Sequence, residues 1–215
     1  ITSPSYATAT AGQPFDYNVT AIGSPTSYAA FNLPGGLQFN AVTGAVTGTP
    51  IVAGLFDVSL LAYYADDDGN LTDPDSLPDV LGTTDSTDEH NQVILQLTVA
   101  ATVPDIATSA PSSVGAASAI FNGEVTNDGG EAPIVLIYHG SSDGAADASA
   151  WANALDLGPK GQGAFGQVIG GLVPETTYHY RMRAFNSVVP EGVWASSSQS
   201  FTTIASSLPV VSNEA

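Results

Sequence analysis

This chain is punctuated too often to hold a long helix. Phe15-Asp16-Tyr17-Asn18-Val19-Thr20-Ala21 alternates apolar and polar residues, as a half-buried strand must. Leu55 to Tyr64 and Gln92 to Val99 are similarly β-rich, and Asn40 to Gly44 and Val52 to Gly54 supply turns between shorter runs. Ala119 to Thr126, Ile134 to His139, Phe165 to Ile169, Tyr178 to Phe185 and Ser198 to Thr203 continue the series, with 22 glycines and 14 prolines in the chain to break it up. Nowhere do apolar residues recur at i, i+3, i+4, i+7 between helix caps. The pattern predicts an all-β chain of sandwiches. In the Tyr178 run, Tyr178, Tyr180, Met182 and Ala184 fall on one face, and His179, Arg181 and Arg183 on the solvent side.

A length of 215 residues suits one large domain or two of about 100 residues each. The join falls at Ala100 to Pro104, where a strand ends, small residues follow and a proline opens the next unit. Leu97 to Ala107 parallels Phe201 to Val211, and Pro104 and Pro209 are 105 residues apart. The expected organisation is a sandwich over 1–102, a second over 103–206 and a tail over 207–215. The tail reads as the first strand of a further module, as a strand donated to a neighbour's sheet, or as a disordered end.

Three Lys and Arg stand against 21 Asp and Glu, a formal net charge of -18. Nucleic-acid binding needs a basic face, and docking on an anionic membrane is disfavoured for the same reason. No apolar run approaches the roughly 20 residues that cross a bilayer. No leader opens the sequence; if the protein is exported, its signal lies upstream. The absence of cysteine excludes a disulfide framework and thiolate metal sites. Few cations among abundant Ser, Thr, Ala and Gly point to a bacterial surface or secreted protein. Two N-x-[ST] triplets, at Asn18 and Asn70, carry little weight alone.

Leu33-Pro34-Gly35-Gly36-Leu37, then Asn40-Ala41-Val42-Thr43-Gly44, then Gly48-Thr49-Pro50 follow the order L-P-x-G-L, N-x-x-T-G, G-T-P. With Ile1-Thr2-Ser3-Pro4 and Gly12-Gln13-Pro14-Phe15, they make residues 1 to about 99 resemble the putative-Ig (cadherin-like, dystroglycan-type) domains of bacterial surface proteins. The departure is Asp66 to His90, where that family has a short hairpin between its last two strands. Leu172-Val173-Pro174-Glu175-Thr176-Thr177-Tyr178 and Ala184-Phe185-Asn186 carry L-x-P-x-T-x-Y and A-x-N. Asn122 to Thr126 and Ser196 to Thr203 fit as well, and about 103–203 resembles a bacterial fibronectin type III domain. That resemblance makes Tyr178 the tyrosine of a tyrosine corner. Both families imply spacer or binding modules, and neither implies catalysis.

Several motifs have plainer readings. Gly140-Ser141-Ser142-Asp143-Gly144 fits G-x-S-x-G with His139 beside it, but a hydrolase elbow needs a helix next, and an extended run follows. Gly161-Gln162-Gly163-Ala164-Phe165-Gly166 fits G-x-G-x-x-G but opens a strand, so a glycine-rich hairpin is expected. His90, His139 and His179 are isolated from one another, without zinc spacing. Lys160, the only lysine, lies in a Gly-Pro loop. Trp151 and Trp194 fit a core or a sheet edge, with sugar stacking as the functional alternative.

The acidic stretch ADDDGNLTDPD remains. An EF-hand fails, since its first position would be Tyr64 and a strand precedes it. Asp66, Asp68, Asn70, Asp73 and Asp75 supply enough oxygens for a looser calcium site, and a solvated acidic loop is the alternative. Taken together, the sequence predicts a non-enzymatic extracellular or cell-surface protein, a stalk or filament subunit. Its partners would be neighbouring modules or subunits of the same protein or a surface glycan, and its one candidate cofactor is calcium. A glycan- or protein-binding accessory module of a secreted enzyme or adhesin is the competing class.

Overall fold

The computed structural model describes residues 1–64 and 91–206. The chain divides into two compact units between Thr102 and Val103. No helix among the described residues is long and apolar enough to cross a membrane.

The first unit holds β1 (Tyr6–Thr10), β2 (Phe15–Asn18), β3 (Ser27–Phe31), β4 (Leu37–Phe39), β5 (Ala45–Gly48), β6 (Gly54–Tyr63) and β7 (Asn91–Ala100). One sheet runs β1-β7-β6-β3 and the other β2-β5-β4. Side chains alternate inward, and Val46, Val58, Leu60, Leu95 and Leu97 are fully buried between the sheets. Strand β2 is shorter than the alternation of 15–21 predicts. Its register partner β5 begins at Ala45, and the Val19 N–H goes to the Gly44 carbonyl instead, although Tyr17 and Val19 do face the core.

The family motifs have a backbone reason. Gly36 sits at φ +90° with room for no Cβ, which would stand 2.0 Å from the Thr49 carbonyl oxygen. A Cβ on Gly48 would meet the Gly36 carbonyl at 2.3 Å. The two glycines let the P-x-G-L and G-T-P segments touch backbone to backbone, tied by Thr49 N–H to Gly36 O. Asn40 Oδ1 accepts from the Val42 and Thr43 N–H groups, closing the turn from β4 into β5.

The chain's first residues split between the sheets. Thr2 and Ser3 donate to the Thr20 carbonyl, on the β2 side. Pro4, which has no N–H, accepts the Tyr17 hydroxyl. From Ser5 on the chain belongs to β7, with Gln96 N–H to Ser5 O and Ala11 N–H to Ala100 O, both at 2.9 Å. Strands β1 and β7 pair parallel, Tyr6 with Gln96 through Thr10 with Ala100. Strands β6 and β7 pair antiparallel from Gly54–Val99 to Ala62–Asn91, so the acidic stretch joins two neighbouring strands.

The second unit holds β8 (Asp105–Ser112), β9 (Ser118–Asn127), β10 (Ile134–Gly140), β11 (Asn153–Pro159), β12 (Gly163–Gly170), β13 (Thr177–Phe185), β14 (Val193–Trp194) and β15 (Gln199–Thr202). A sheet β12-β9-β8 faces a sheet β11-β10-β13, with β14 and β15 both paired to β13. Phe121, Val125, Val135, Ile137, Tyr180 and Met182 fill the core. Strand β8 lacks a clear apolar alternation because a polar residue faces inward: Thr108 is buried and its hydroxyl accepts the Met182 N–H at 3.0 Å. The hairpin expected at 161–166 is not formed. Strand β11 pairs with β10 and β12 with β9, so the glycine-rich stretch carries the chain from one sheet to the other. The described helical content is one 3-10 turn, Ala148–Ala150, capped by Asp147, whose carboxylate accepts the Ser149 N–H.

Candidate functional site: a cationic aromatic face on the second unit

The outward face of β13 gathers two of the three Lys and Arg side chains of the chain. Arg181 pairs across the sheet with Tyr138, Arg183 with Leu136 and Phe185 with Ile134. On the other flank, β14 brings Trp194 opposite Arg183. The Arg183 guanidinium lies 4.8 Å from the indole centroid and 5.0 Å from the Phe185 ring, and that of Arg181 lies 5.8 Å from the indole. Tyr138 packs against the same indole, centroid to centroid 4.8 Å at 51°. Such contacts each contribute about 0.5–1 kcal/mol at exposed sites and more when water is excluded.

Both guanidiniums are also anchored to backbone. Arg181 donates through Nε and Nη2 to the Ala195 carbonyl, and Arg183 through Nη2 to the Glu191 carbonyl. The Arg183 Nε is buried without a hydrogen-bond partner. Gly192 makes the close approach of this segment feasible: at φ +79°, a Cβ there would stand 2.5 Å from the Phe185 ring and 2.9 Å from Arg183 Nε. The expectation that Arg181 and Arg183 simply face solvent is therefore incomplete, since both are part-buried against Trp194. A two-residue strand leaves no periodicity, so its tryptophan could not be matched to β13 by pattern. The signal available was Arg-x-Arg-x-Phe on one face of a strand.

The other singled-out residues are placed as follows. Gly140 ends β10, and 141–147 is a loop leading to the 3-10 turn. Asp143 accepts from Ala145 N–H and from the Ser198 hydroxyl, each at 2.8 Å. Desolvation pushes its pKa up, but these hydrogen bonds, helped by the charges of His179 and Arg181, outweigh that and hold the carboxyl below its ordinary range. Ser142 is exposed in this loop, whereas His139 points inward, edge-on to Phe121 with centroids 5.5 Å apart. The Nδ1 of His139 is buried without a partner, and desolvation lowers its pKa. Trp151 is buried over Gly144 and donates its indole N–H to the Ala145 carbonyl at 3.3 Å, so it offers no flat exposed ring. Lys160 donates its backbone N–H to the Pro133 carbonyl. The Tyr178 hydroxyl accepts the Val173 N–H at 3.0 Å, the tyrosine corner that the resemblance implied. Asp66, Asp68, Asn70, Asp73, Asp75 and His90 lie outside the described residues. Among the described residues, no group of three or more His, Cys, Asp or Glu is placed to hold a metal ion.

Residues 1–77 match the family model described as Putative Ig domain. No curated protein matches the chain. Among solved structures, it is similar to the sensor domain of the anti-sigma factor RsgI4 of Pseudobacteroides cellulosolvens, at 21% identity and a TM-score of 0.35, covering 48% of this chain and 97% of that one. It is also similar to a fibronectin type III domain from the human KIAA0970 protein, at 14% identity and a TM-score of 0.35, covering 52% and 85%. Domains A168–A170 of titin align at 16% identity and a TM-score of 0.34, covering 93% of this chain and 62% of that one. Residues 1–77 are thus similar to putative Ig domains, and the second unit has the strand order of a fibronectin type III-like sandwich.

Proposed function

We propose that the chain is a load-bearing segment of a protein displayed outside a bacterial cell, a stalk or filament piece built of sandwich modules that carries out no chemistry. The observation that supports this reading most is the parallel pairing of β1 with β7, the first and last strands of the first unit. Tension applied through Ile1 and through the join at Thr102 draws these two strands past each other along their length. Their ladder, from Ser5 to Ala11 on one side and Gln96 to Ala100 on the other, is then loaded in shear, all bonds together. A hairpin pulled from its open end yields one bond at a time. The first and last strands of the second unit, β8 and β15, lie in different sheets and are not paired to each other. The Ig-like fold suits an extracellular module, and the net charge of -18 keeps such a protein soluble.

Single-molecule pulling of the chain held by its two ends tests this. Resistance to force is a matter of unfolding rate. Two unfolding events are expected, with the first unit giving way at the higher force. Ala9→Pro, which removes an N–H at the same strand parity as Ser5 and Ala11, should lower that event and leave the other unchanged. If the first unit yields at or below the force of the second, the load-bearing reading is withdrawn.

A further inference from the structure

We infer that the Arg181–Arg183–Trp194 face docks the anionic first unit of a second copy of this chain, head to tail. The argument starts from where the charges are. None of the three Lys and Arg lies in residues 1–102, which hold eleven of the 21 Asp and Glu. Two of the three cations sit together on one sheet face of the second unit. The chain thus carries a purely anionic unit and a single cationic patch suited to it.

The patch has the chemistry of a protein contact. Tryptophan, tyrosine and arginine are the residue types that carry most binding energy at interfaces. Here Trp194 and both arginines are part-buried and contiguous, backed by the buried Tyr138 and bordered by Ile134, which is 45% exposed. The guanidiniums are already held by the Ala195 and Glu191 carbonyls and by the indole, so ordering them on binding costs little. The same stacking disfavours a sugar as the occupant. Arg183 and Tyr138 both lie against the indole, each 4.8 Å from its centroid, and take the surface a pyranose would need.

The contact joins unlike surfaces, so it propagates from copy to copy, into a ring where the rotation closes and an open series where it does not. It also has to overcome whole-molecule repulsion between two chains of charge -18. The Debye length is about 30 Å at 0.01 M salt, about 10 Å at 0.1 M and about 3 Å at 1 M. Repulsion between distant charges prevails in the first case, and the contact pairs themselves are screened in the last. Association is therefore strongest in between.

Sedimentation velocity and light scattering on the whole chain, from micromolar to near-millimolar concentration, test the inference in 10 mM, 150 mM and 1 M NaCl. The average mass should climb with concentration at 150 mM and return to the monomer at both extremes. Ile134→Asp should weaken association at least ten-fold, and Ile134→Lys, at the same exposed position, should preserve or tighten it, with unchanged melting in both. The salt series on the native chain stands even if a variant folds poorly. A monomer at every salt overturns the inference, as does an association that both substitutions weaken equally. Binding of alginate by a chain that does not self-associate assigns the face to an acidic polysaccharide and overturns it too. The inference goes beyond the load-bearing reading, because a monomer with a force-resistant first unit would lose only the docking.

Discussion

Tyr180 lies stacked on Phe121, ring centroids 4.3 Å apart and planes 15° from parallel, while its hydroxyl donates to the Ser109 carbonyl of the opposite sheet. One fully buried side chain thus joins the two layers of the second unit twice, through its ring and through its oxygen. Tyr180→Phe keeps the stacking and leaves the Ser109 carbonyl unsatisfied. It should cost about 1–3 kcal/mol in the second unit's denaturant transition. An unchanged midpoint would show that the hydroxyl does not tie the sheets together.

The same phenol governs alkaline stability. Burial pushes the Tyr180 pKa up to about 12, against the backbone hydrogen bond from Asn122, which lowers it. The folded state therefore holds this proton more tightly than the unfolded one. The stabilisation is complete below the unfolded value of 10.0 and is lost as pH rises from there through about 12. Melting temperature followed from pH 9 to 12 should fall less steeply in Tyr180→Phe than in the native chain.

At the acid end the residue to watch is His139. Its buried Nδ1 has no partner, and desolvation lowers its pKa from 6.5. The unfolded state accordingly takes up this proton first. The second unit keeps its full stability above that value and loses it as pH drops through 6.5 toward the lower folded pKa. His139→Leu should flatten the melting temperature between about pH 7 and 5, a window above the ordinary carboxylate range. An equal slope in both proteins would remove His139 as the cause.

In the first unit, Gly36→Ala should be among the most damaging single changes. The new methyl would stand 2.0 Å from the Thr49 carbonyl at φ +90°. Backbone must move to admit it, and a loss of more than about 3 kcal/mol is expected. Calorimetry should show the first unit's transition lowered or absent and the second's intact.

Much of this fold was legible because its signals are local. Asn40 and Gly44 sit in a turn that Asn chemistry and a positive φ demand, and the alternation of Tyr178 to Phe185 follows directly from the two-residue period of a strand. The tyrosine corner was placed by the resemblance carried on Leu172 to Tyr178, and its bond runs from the Val173 N–H to the Tyr178 hydroxyl. What escaped depends on pairing at a distance. Nothing in Gly161 to Gly166 says whether β12 returns to β11 or crosses to β9, because glycine turns serve both and the choice is made by the core faces of Phe121 and Val125. Ser27–Phe31 reads poorly as a strand because four of its residues are only part-buried and Phe31 is exposed, yet pairing with β6 fixes it. The cationic face was half visible: the arginines were assigned to one side of β13, but Trp194 reaches them from 11 residues beyond Arg183, through a turn that Gly192 permits.

The parallel partnership of β1 and β7 also limits how this protein can be rearranged. Strands that run side by side in one direction send the chain's entrance and exit to opposite poles of the first unit. A linker closing residue 1 onto residue 102 would have to run back along the pair, at least about 17 Å for five residues at 3.3 Å each. The ends of β6 and β7 at Ala62 and Asn91, by contrast, are register partners. A circular permutant opened between them begins and finishes at one pole. Its demanding design step is therefore the new splice, whereas inserting a guest domain between those same strands calls for no splice at all.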